Sequence, residues 1–221
     1  MSSDPASLEV NEAQSREAAV RSMVYSFLAR SLCVPDEEFH SLLISGELAS
    51  LLSEMLSALP YSLKLPEINN PGLPDFIFFQ SEYIAFFDVG AKGPPCPLYE
   101  GAIRKERGRK AVWEDLLRFY SHFGVKMSDE VRELPDQLSA ELEFMHYLAF
   151  LEVRAGKEKA GSRQDLVRAQ RDFLERHLAA WTPELSRRSQ KGAPPIYCAL
   201  LAFLHEFISA DLSYLKESAA C

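Results

Sequence analysis

The amino-acid sequence predicts an all-α fold, a single multi-helix bundle, and three observations carry that prediction. Apolar residues recur at the i, i+3, i+4, i+7 spacing of one helix face in almost every segment. No stretch alternates apolar and polar residues with period two, and no Asn-Gly or Asp-Gly pair marks a hairpin. No internal repeat divides the chain into stacked units.

A first helix is expected within Glu12–Leu32, where Val20, Met23, Val24, Phe27, Leu28 and Leu32 share a face. Pro35-Asp36 opens a short helix carrying Phe39, Leu42 and Leu43, and Gly46 stops it. Leu48, Leu51, Leu52, Met55, Leu56 and Leu59 make a third stripe, and Pro60–Pro74 is a break rich in Pro, Asn and Gly. Phe76–Val89 holds Phe76, Phe78, Phe79, Tyr83, Phe86 and Phe87. Such aromatic content suits a strand, but the length decides for a helix with Glu82 and Asp88 on its polar side.

A long loop follows from Gly90 to about Gly108, broken by Pro94, Pro95 and Pro97; loops of that length are usually functional or disordered. Val112, Trp113, Leu116, Leu117 and Tyr120 give the next helix, ending near Gly124. Val125–Pro135 is a short polar connection, and Pro135 suits the first turn of the following helix, where a missing N–H costs nothing. That helix carries a wide apolar arc from Leu138 to Leu151, as befits a central helix touched on several sides. Ala155–Ser162 reads as a charged, Gly-flanked loop. Leu166, Phe173, Leu174, His177, Leu178 and Trp181 then form one helix, stopped at Thr182-Pro183. After a short helix and Gly192, Pro194-Pro195 introduces a last long helix with Ile196, Tyr197, Leu200, Leu201, Leu204, Phe207, Ile208 and Leu215 on its face. The expected total is eight or nine helices. Residues 1–15 are expected to be a flexible N-terminus, and 16–217 one helical domain with a hinge at 125–136.

Composition narrows the function. A chain of 221 residues, 47% hydrophobic and 25% charged, is large enough to bury a core without staples. Cys33, Cys96, Cys198 and Cys221 form no C-x-x-C pair and read as thiols of a reducing compartment. Met1–Asn11 lacks the basic-then-apolar pattern of a secretory signal, and no apolar run approaches the roughly 18 residues of a membrane span. A cytoplasmic protein without membrane insertion is expected. The formal net charge of -8 argues against nucleic acid as a partner. The acid is uneven: Ser31–Leu63 has Asp36, Glu37, Glu38, Glu47 and Glu54 but no Lys or Arg, and Ser128–Glu143 has six acids with only Arg132. Solvated helix faces and a surface attracting a basic partner segment are both open readings.

Catalytic patterns find little support. Glu143 and His146 form an E-x-x-H pair, the spacing that aims two ligands from one helix in di-iron bundles, but no second pair exists. His177 and His205 lie on or beside apolar faces and read as packed residues. There is no G-x-S-x-G, Walker loop or G-x-G-x-x-G. No catalytic residue, metal site or cofactor is expected. Arg104–Lys110 has five basic residues and one acid. It reads as a solvated helix N-terminus, in tension with the helix dipole, or as a contact for an anionic partner such as an acidic protein surface or a phosphate group.

Four segments remain: Glu82-Tyr83-Ile84-Ala85-Phe86-Phe87; Pro94-Pro95-Cys96-Pro97-Leu98-Tyr99-Glu100-Gly101; Glu133-Leu134-Pro135-Asp136-Gln137-Leu138 running into Glu141-Leu142-Glu143-Phe144-Met145; and Gln170, Phe173-Leu174, His177-Leu178, Trp181. In order and spacing they resemble the TorD/DmsD/NarJ family of molybdoenzyme maturation chaperones. The family patterns are E-Y-x-x-L-F, a Pro-rich loop ending P-x-Y-E-S, E-x-P-D-H-L followed by E-L-x-F-M, and Q-x-x-F-L-x-x-H-L-x-x-W. Gly101 stands where Ser is usual, and Gln137 where His is usual. The resemblance covers roughly Arg16–Leu215.

The resemblance implies a TorD-like helical fold, as a monomer or a domain-swapped homodimer. It implies a chaperone that binds the N-terminal twin-arginine signal peptide, or the apo-form, of a molybdopterin-containing oxidoreductase catalytic subunit. Such a chaperone assists cofactor insertion, assembly and quality control before export. Gln137 with Glu143-Phe144-Met145-His146 is similar to the branch serving dimethylsulfide, selenate, chlorate and ethylbenzene enzymes. A groove with Tyr83, Phe87 and Tyr99 as aromatic floor and Glu133 and Asp136 as acidic rim, beside Pro135 and Gln137, would complement a basic-then-apolar peptide. A helical scaffold or regulatory protein-binding module, and a di-metal helical enzyme, are the alternative readings.

Overall fold

The structure, a computed structural model, describes the chain except residues 1–4, 69, 71, 92, 127–133, 159 and 221; the side chains of 5–11, 156–162 and 220 are also left out. Among the described residues there are ten α-helices and one π-helical turn, one helix more than the upper expectation. No strand occurs among them, only two isolated backbone bridges, so the all-α expectation holds.

Helix α1 (Pro5–Ser31) starts earlier than the periodicity indicated. Helix α2 (Glu37–Ser45) is capped by Asp36, whose carboxylate accepts from the Phe39 amide at 2.7 Å. Gly46, at φ 79°, both ends α2 and opens α3 (Glu47–Ser57); a left-handed residue there lets the chain turn between helices without strain. Asp75 caps α4 (Phe76–Tyr83) through the Phe78 amide, at 3.1 Å. The helix continues as a π-helical turn, Ile84–Asp88, closed by Val89 N donating to Ile84 O at 2.9 Å. The Phe86 carbonyl, in the last turn and so without a helical partner, accepts from Cys96 N at 3.1 Å and fastens the Pro-rich loop.

The expected loop from Gly90 to Gly108 contains a short helix, α5 (Glu100–Ile103). It is followed by α6 (Arg109–His122), α7 (Leu138–Glu158), α8 (Ala160–Arg176), α9 (Leu178–Ser189) and α10 (Pro195–Ala220). Three boundaries differ from expectation. The region 155–162 is helical on both sides of residue 159, consistent with the helix propensity of Ala, Lys and Glu there. The helix expected to end at Pro183 breaks at His177 instead, whose backbone leaves the helical region at φ −119°, ψ −97°. Pro183 then lies in the second turn of α9, where only the Ala179 carbonyl is denied a helical partner. Pro135 lies in the turn before α7 rather than in its first turn. The expected hinge at 125–136 falls mostly outside the described residues.

The core is continuous. Helix α7 packs along α1 and α8, and α10 against α8 and α9. By length and composition α10 could cross a membrane, contrary to the sequence expectation. Its apolar residues Ile196, Tyr197, Leu200, Leu201, Leu204, Phe207, Ile208 and Leu215 are instead buried in this core. Its apolarity therefore has a packing cause.

Candidate functional site

The motif segments converge on one junction, where α5 and the loop before it cross the entry to α7. Glu100 N donates to Asp136 O at 2.9 Å and Leu138 N to Leu98 O at 2.9 Å. Tyr99 and Gln137 pair as an antiparallel bridge. The Asp136 side chain, fully buried, accepts from Gly101 N at 3.1 Å. It thus caps the start of α5 across 35 residues of chain instead of charging the start of α7. Arg109 Nε lies 3.4 Å from the same carboxylate, and the guanidinium lies over the rings of Tyr99 and Trp113 at 5.5 and 5.1 Å. A Cβ on Gly101 would meet Asp136 Oδ2 at 2.9 Å and Arg109 Cγ at 2.7 Å. Glycine here permits the close approach of acid and arginine. Tyr120 locks the turn from below by donating to Pro135 O at 2.9 Å.

Beneath the junction lies a buried charge network. His177 Nδ1 is 2.8 Å from Glu100 Oε2, and its Nε2 is 3.6 Å from Asp115 Oδ2. Arg104 donates to the other Glu100 oxygen at 2.6 Å and to Arg176 O at 2.8 Å. Asp115 accepts from Arg107 at 2.6 Å and also from Arg176. Burial pushes the Asp115 carboxyl up, but the Arg107 bond, His177 and Arg176 outweigh it and hold the group below the usual carboxylate range. The basic run is therefore not simply a solvated helix end: Arg104 and Arg107 turn inward and also satisfy the Arg176 carbonyl at the end of α8, where cations suit the dipole. Glu141, also buried, accepts from Trp181 Nε1 at 3.1 Å, and its Oε1 has no hydrogen-bond partner among the described residues. Burial first, and then the Glu100 and Asp136 charges, push its carboxyl well above the ordinary value, with the Trp181 bond opposing.

Of the seven residues expected to bind a peptide, Tyr99, Pro135, Asp136 and Gln137 meet at this junction; only Tyr99 and Gln137 are partly open to solvent. Asp136 is no surface rim, because it is spent on the α5 cap. Tyr83 and Phe87 are core residues in place of an open floor: Tyr83 donates to Leu32 O at 2.8 Å, and both rings pack on Tyr197. They reach the junction indirectly, through the bond from the π turn to Cys96. Glu133 lies outside the described residues. His177 is buried as expected, and His146 is bonded to Ser22 Oγ at 2.8 Å.

Sequence reading missed a second charged cluster. Arg21 of α1, completely buried, donates to Asp211 of α10 at 2.5 and 3.0 Å, to Glu152 of α7 at 3.1 Å and to Gln170 of α8 at 2.7 Å. Tyr25 and Tyr61 donate to Asp211 at 2.6 and 2.8 Å. The available signal was a charged residue at core register inside apolar helix stripes, at both Arg21 and Asp211.

Comparison with known proteins follows the same residues. The family described as nitrate reductase delta subunit matches residues 45–187. A perchlorate reductase assembly chaperone protein of Dechloromonas aromatica is 34% identical over 212 residues, covering 89% of this chain and 90% of its own. A selenate reductase assembly chaperone protein of Thauera selenatis is 41% identical over 143 residues, 63% of this chain and 72% of its own. A chlorate reductase assembly chaperone protein of Ideonella dechloratans is 41% identical over 109 residues, 49% of this chain and 56% of its own. The matched stretch contains all four motif segments, three of which form the junction and its buried support. The chain belongs to the nitrate reductase delta subunit family, that of the TorD- and NarJ-type chaperones.

Proposed function

We propose that this chain is the assembly chaperone of a molybdopterin-containing oxidoreductase of the selenate, perchlorate or chlorate reductase kind. The observation that carries the proposal is the 34% identity to a perchlorate reductase assembly chaperone over 89% of the chain. In this reading the chain binds the catalytic subunit in the cytoplasm, at its N-terminal signal peptide or as the apo-protein. It keeps that subunit open for cofactor insertion and holds it back from export until assembly is complete. The chain acts by binding and release, not by catalysis, as a monomer or as a homodimer that swaps halves about 125–136.

The junction supports such a role by presenting Tyr99 and Gln137 on a rigid base. Pro135, Asp136, Tyr83 and Phe87 act from within, fixing the crossing and the loop above it. The test is co-expression with the apo catalytic subunit of a selenate-, perchlorate- or chlorate-type reductase, followed by affinity capture. A stable complex with the apo-subunit, and a weaker one with the cofactor-loaded subunit, is the expected result. Failure to retain the apo-subunit of any of the three by a folded chain overturns it.

A further inference from the structure

The basic run Arg104–Lys110 is only partly used up inside the fold. Arg104 and Arg107 turn inward to Glu100 and Asp115, and Lys110 lies 3.8 Å from Glu114 in an exposed pair. Arg109 is held differently. Its guanidinium lies over the Tyr99 and Trp113 rings, at 5.5 and 5.1 Å, and its Nε is 3.4 Å from the buried Asp136 carboxylate. These contacts fix the side chain, yet 46% of it stays exposed. Its two terminal nitrogens donate no hydrogen bond to a described residue. An arginine ordered in this way has already lost the rotamer freedom that binding would otherwise cost, and its outer edge is still unspent.

Gly101 is what admits it. This glycine is not among those with positive φ, and it sits in α5, where alanine or serine has the better helix propensity. The backbone therefore does not require glycine; the space does. A Cβ here would stand 2.7 Å from Arg109 Cγ, 3.2 Å from Arg109 Cα and 2.9 Å from Asp136 Oδ2. Serine, the usual residue of the family pattern, would push Arg109 off its two rings or Asp136 off its cap. The seated guanidinium stands at the same crossing as Tyr99 and Gln137, which pair through the backbone and are partly open to solvent.

The chemistry of that edge selects its ligand. The planar fork of N–H groups matches a carboxylate, which it can hold by two parallel bonds. Lys105 and Lys110 add exposed cations on the same run, and the first turn of α6 contains no acid, so a basic segment is repelled here. Asp136, behind the guanidinium, offsets one positive charge, which suits a singly charged carboxylate better than a phosphate dianion. The Gln137 amide alongside can both donate to and accept from a peptide group.

We propose that Arg109, seated on Tyr99 and Trp113 through the space left by Gly101, is a carboxylate receptor that pairs with an Asp or Glu side chain of the client polypeptide. The identity of the client rests on the chaperone reading; the receptor itself can be tested on the chain alone. Gly101 and Arg109 then act together: the glycine sets the place of the arginine, and the arginine sets the sign of the charge that the junction accepts.

The first test follows the arginine Nε–H signals of the isotope-labelled full chain by nuclear magnetic resonance, the Arg109 signal being identified by its loss in Arg109→Lys. The probes are a capped glycine–glutamate–glycine peptide, its glutamine counterpart and inorganic phosphate. The Arg109 signal should shift saturably with the glutamate peptide and not with the glutamine peptide, and phosphate should act only at higher concentration. Gly101→Ser should abolish the response. No saturable shift, an equal response to the glutamine peptide, or tighter binding of phosphate overturns the inference.

The second test is capture of the apo-subunit of a selenate-, perchlorate- or chlorate-type reductase. Arg109→Lys keeps the charge but loses the fork, and it should weaken capture about tenfold. The glutamate peptide at saturation should weaken capture by the wild-type chain and leave capture by Arg109→Lys unchanged, a competition that a purely structural arginine would not show. Capture equal in wild type and Arg109→Lys, or indifferent to the peptide, overturns the client contact while the chaperone reading survives. If the wild-type chain captures no subunit, the chaperone reading fails, and the peptide titration alone decides the receptor.

Discussion

Glu141 and Asp115 sit under the same junction and are displaced in opposite directions, which makes their effects separable by pH. The raised Glu141 carboxyl favours folding below its unfolded value near 4.3, and this contribution is lost as pH rises toward its folded value. Glu141→Gln keeps an acceptor for Trp181 and removes the titration. Its stability relative to wild type should therefore increase with pH above about 4.5, by up to ~1.4 kcal/mol per unit until the wild-type group ionises. Denaturant unfolding at several pH values measures this; parallel curves would refute the buried neutral acid. Asp115 has the reverse sign: its stabilisation is present above about 3.9 and fades as pH falls through the lower folded value. Asp115→Asn should then be most damaging near neutrality and least at acid pH. Asp136→Ala removes the α5 cap and exposes Arg109 to loss of its partner, so it should cost about 1–3 kcal/mol in stability. Equilibrium unfolding checks that, and an unchanged midpoint would contradict the cap. The sequence singled out Asp136 as an acidic rim and not as a cap, because its partner, the Gly101 amide, lies far away along the chain.

At the level of elements, the stripes read from the sequence match α2, α3, α6, α7 and α10, since one buried face per helix is a local property. What failed was set by distant contacts. The break at His177 follows from a ring committed to Glu100 on another element, which no local pattern announces. The bond from Cys96 N to the Phe86 carbonyl, which ties the Pro-rich loop to the π turn, joins residues that no helical stripe relates. The Arg21 cluster joins α1, α7, α8 and α10 and was invisible as a unit. Arg21→Leu leaves Asp211 and Glu152 as buried charges with reduced compensation and should cost about 3–5 kcal/mol, read as a lowered unfolding midpoint. Asp211→Asn, which retains a hydrogen-bonding side chain, should cost less. Equal, small losses for both would show that the cluster does not hold the four helices together. Gly46→Ala forces a side chain into the left-handed region between α2 and α3 and should cost about 1–2 kcal/mol.

On the scale of the whole molecule, charge and apolar exposure coincide on residues 31–91, while the motifs that carry the family likeness lie largely inside. Family and fold class were legible because the motif residues fix a shape: the Asp136 cap, the Glu100–His177 pair and the Glu141–Trp181 pair are structural ties. The same fact made the contact surface hard to read, since motif residues such as Tyr83 and Phe87 looked like a peptide floor and are core. If the chain is a maturation chaperone, its effect must appear on the client and not on a substrate. The most direct measurement is the molybdenum content of a selenate-, perchlorate- or chlorate-type reductase catalytic subunit produced in cells with and without this chain, at matched subunit levels. The account predicts a largely cofactor-free subunit without the chain and restored molybdenum when the chain is supplied. Equal molybdenum loading in both cases would contradict it.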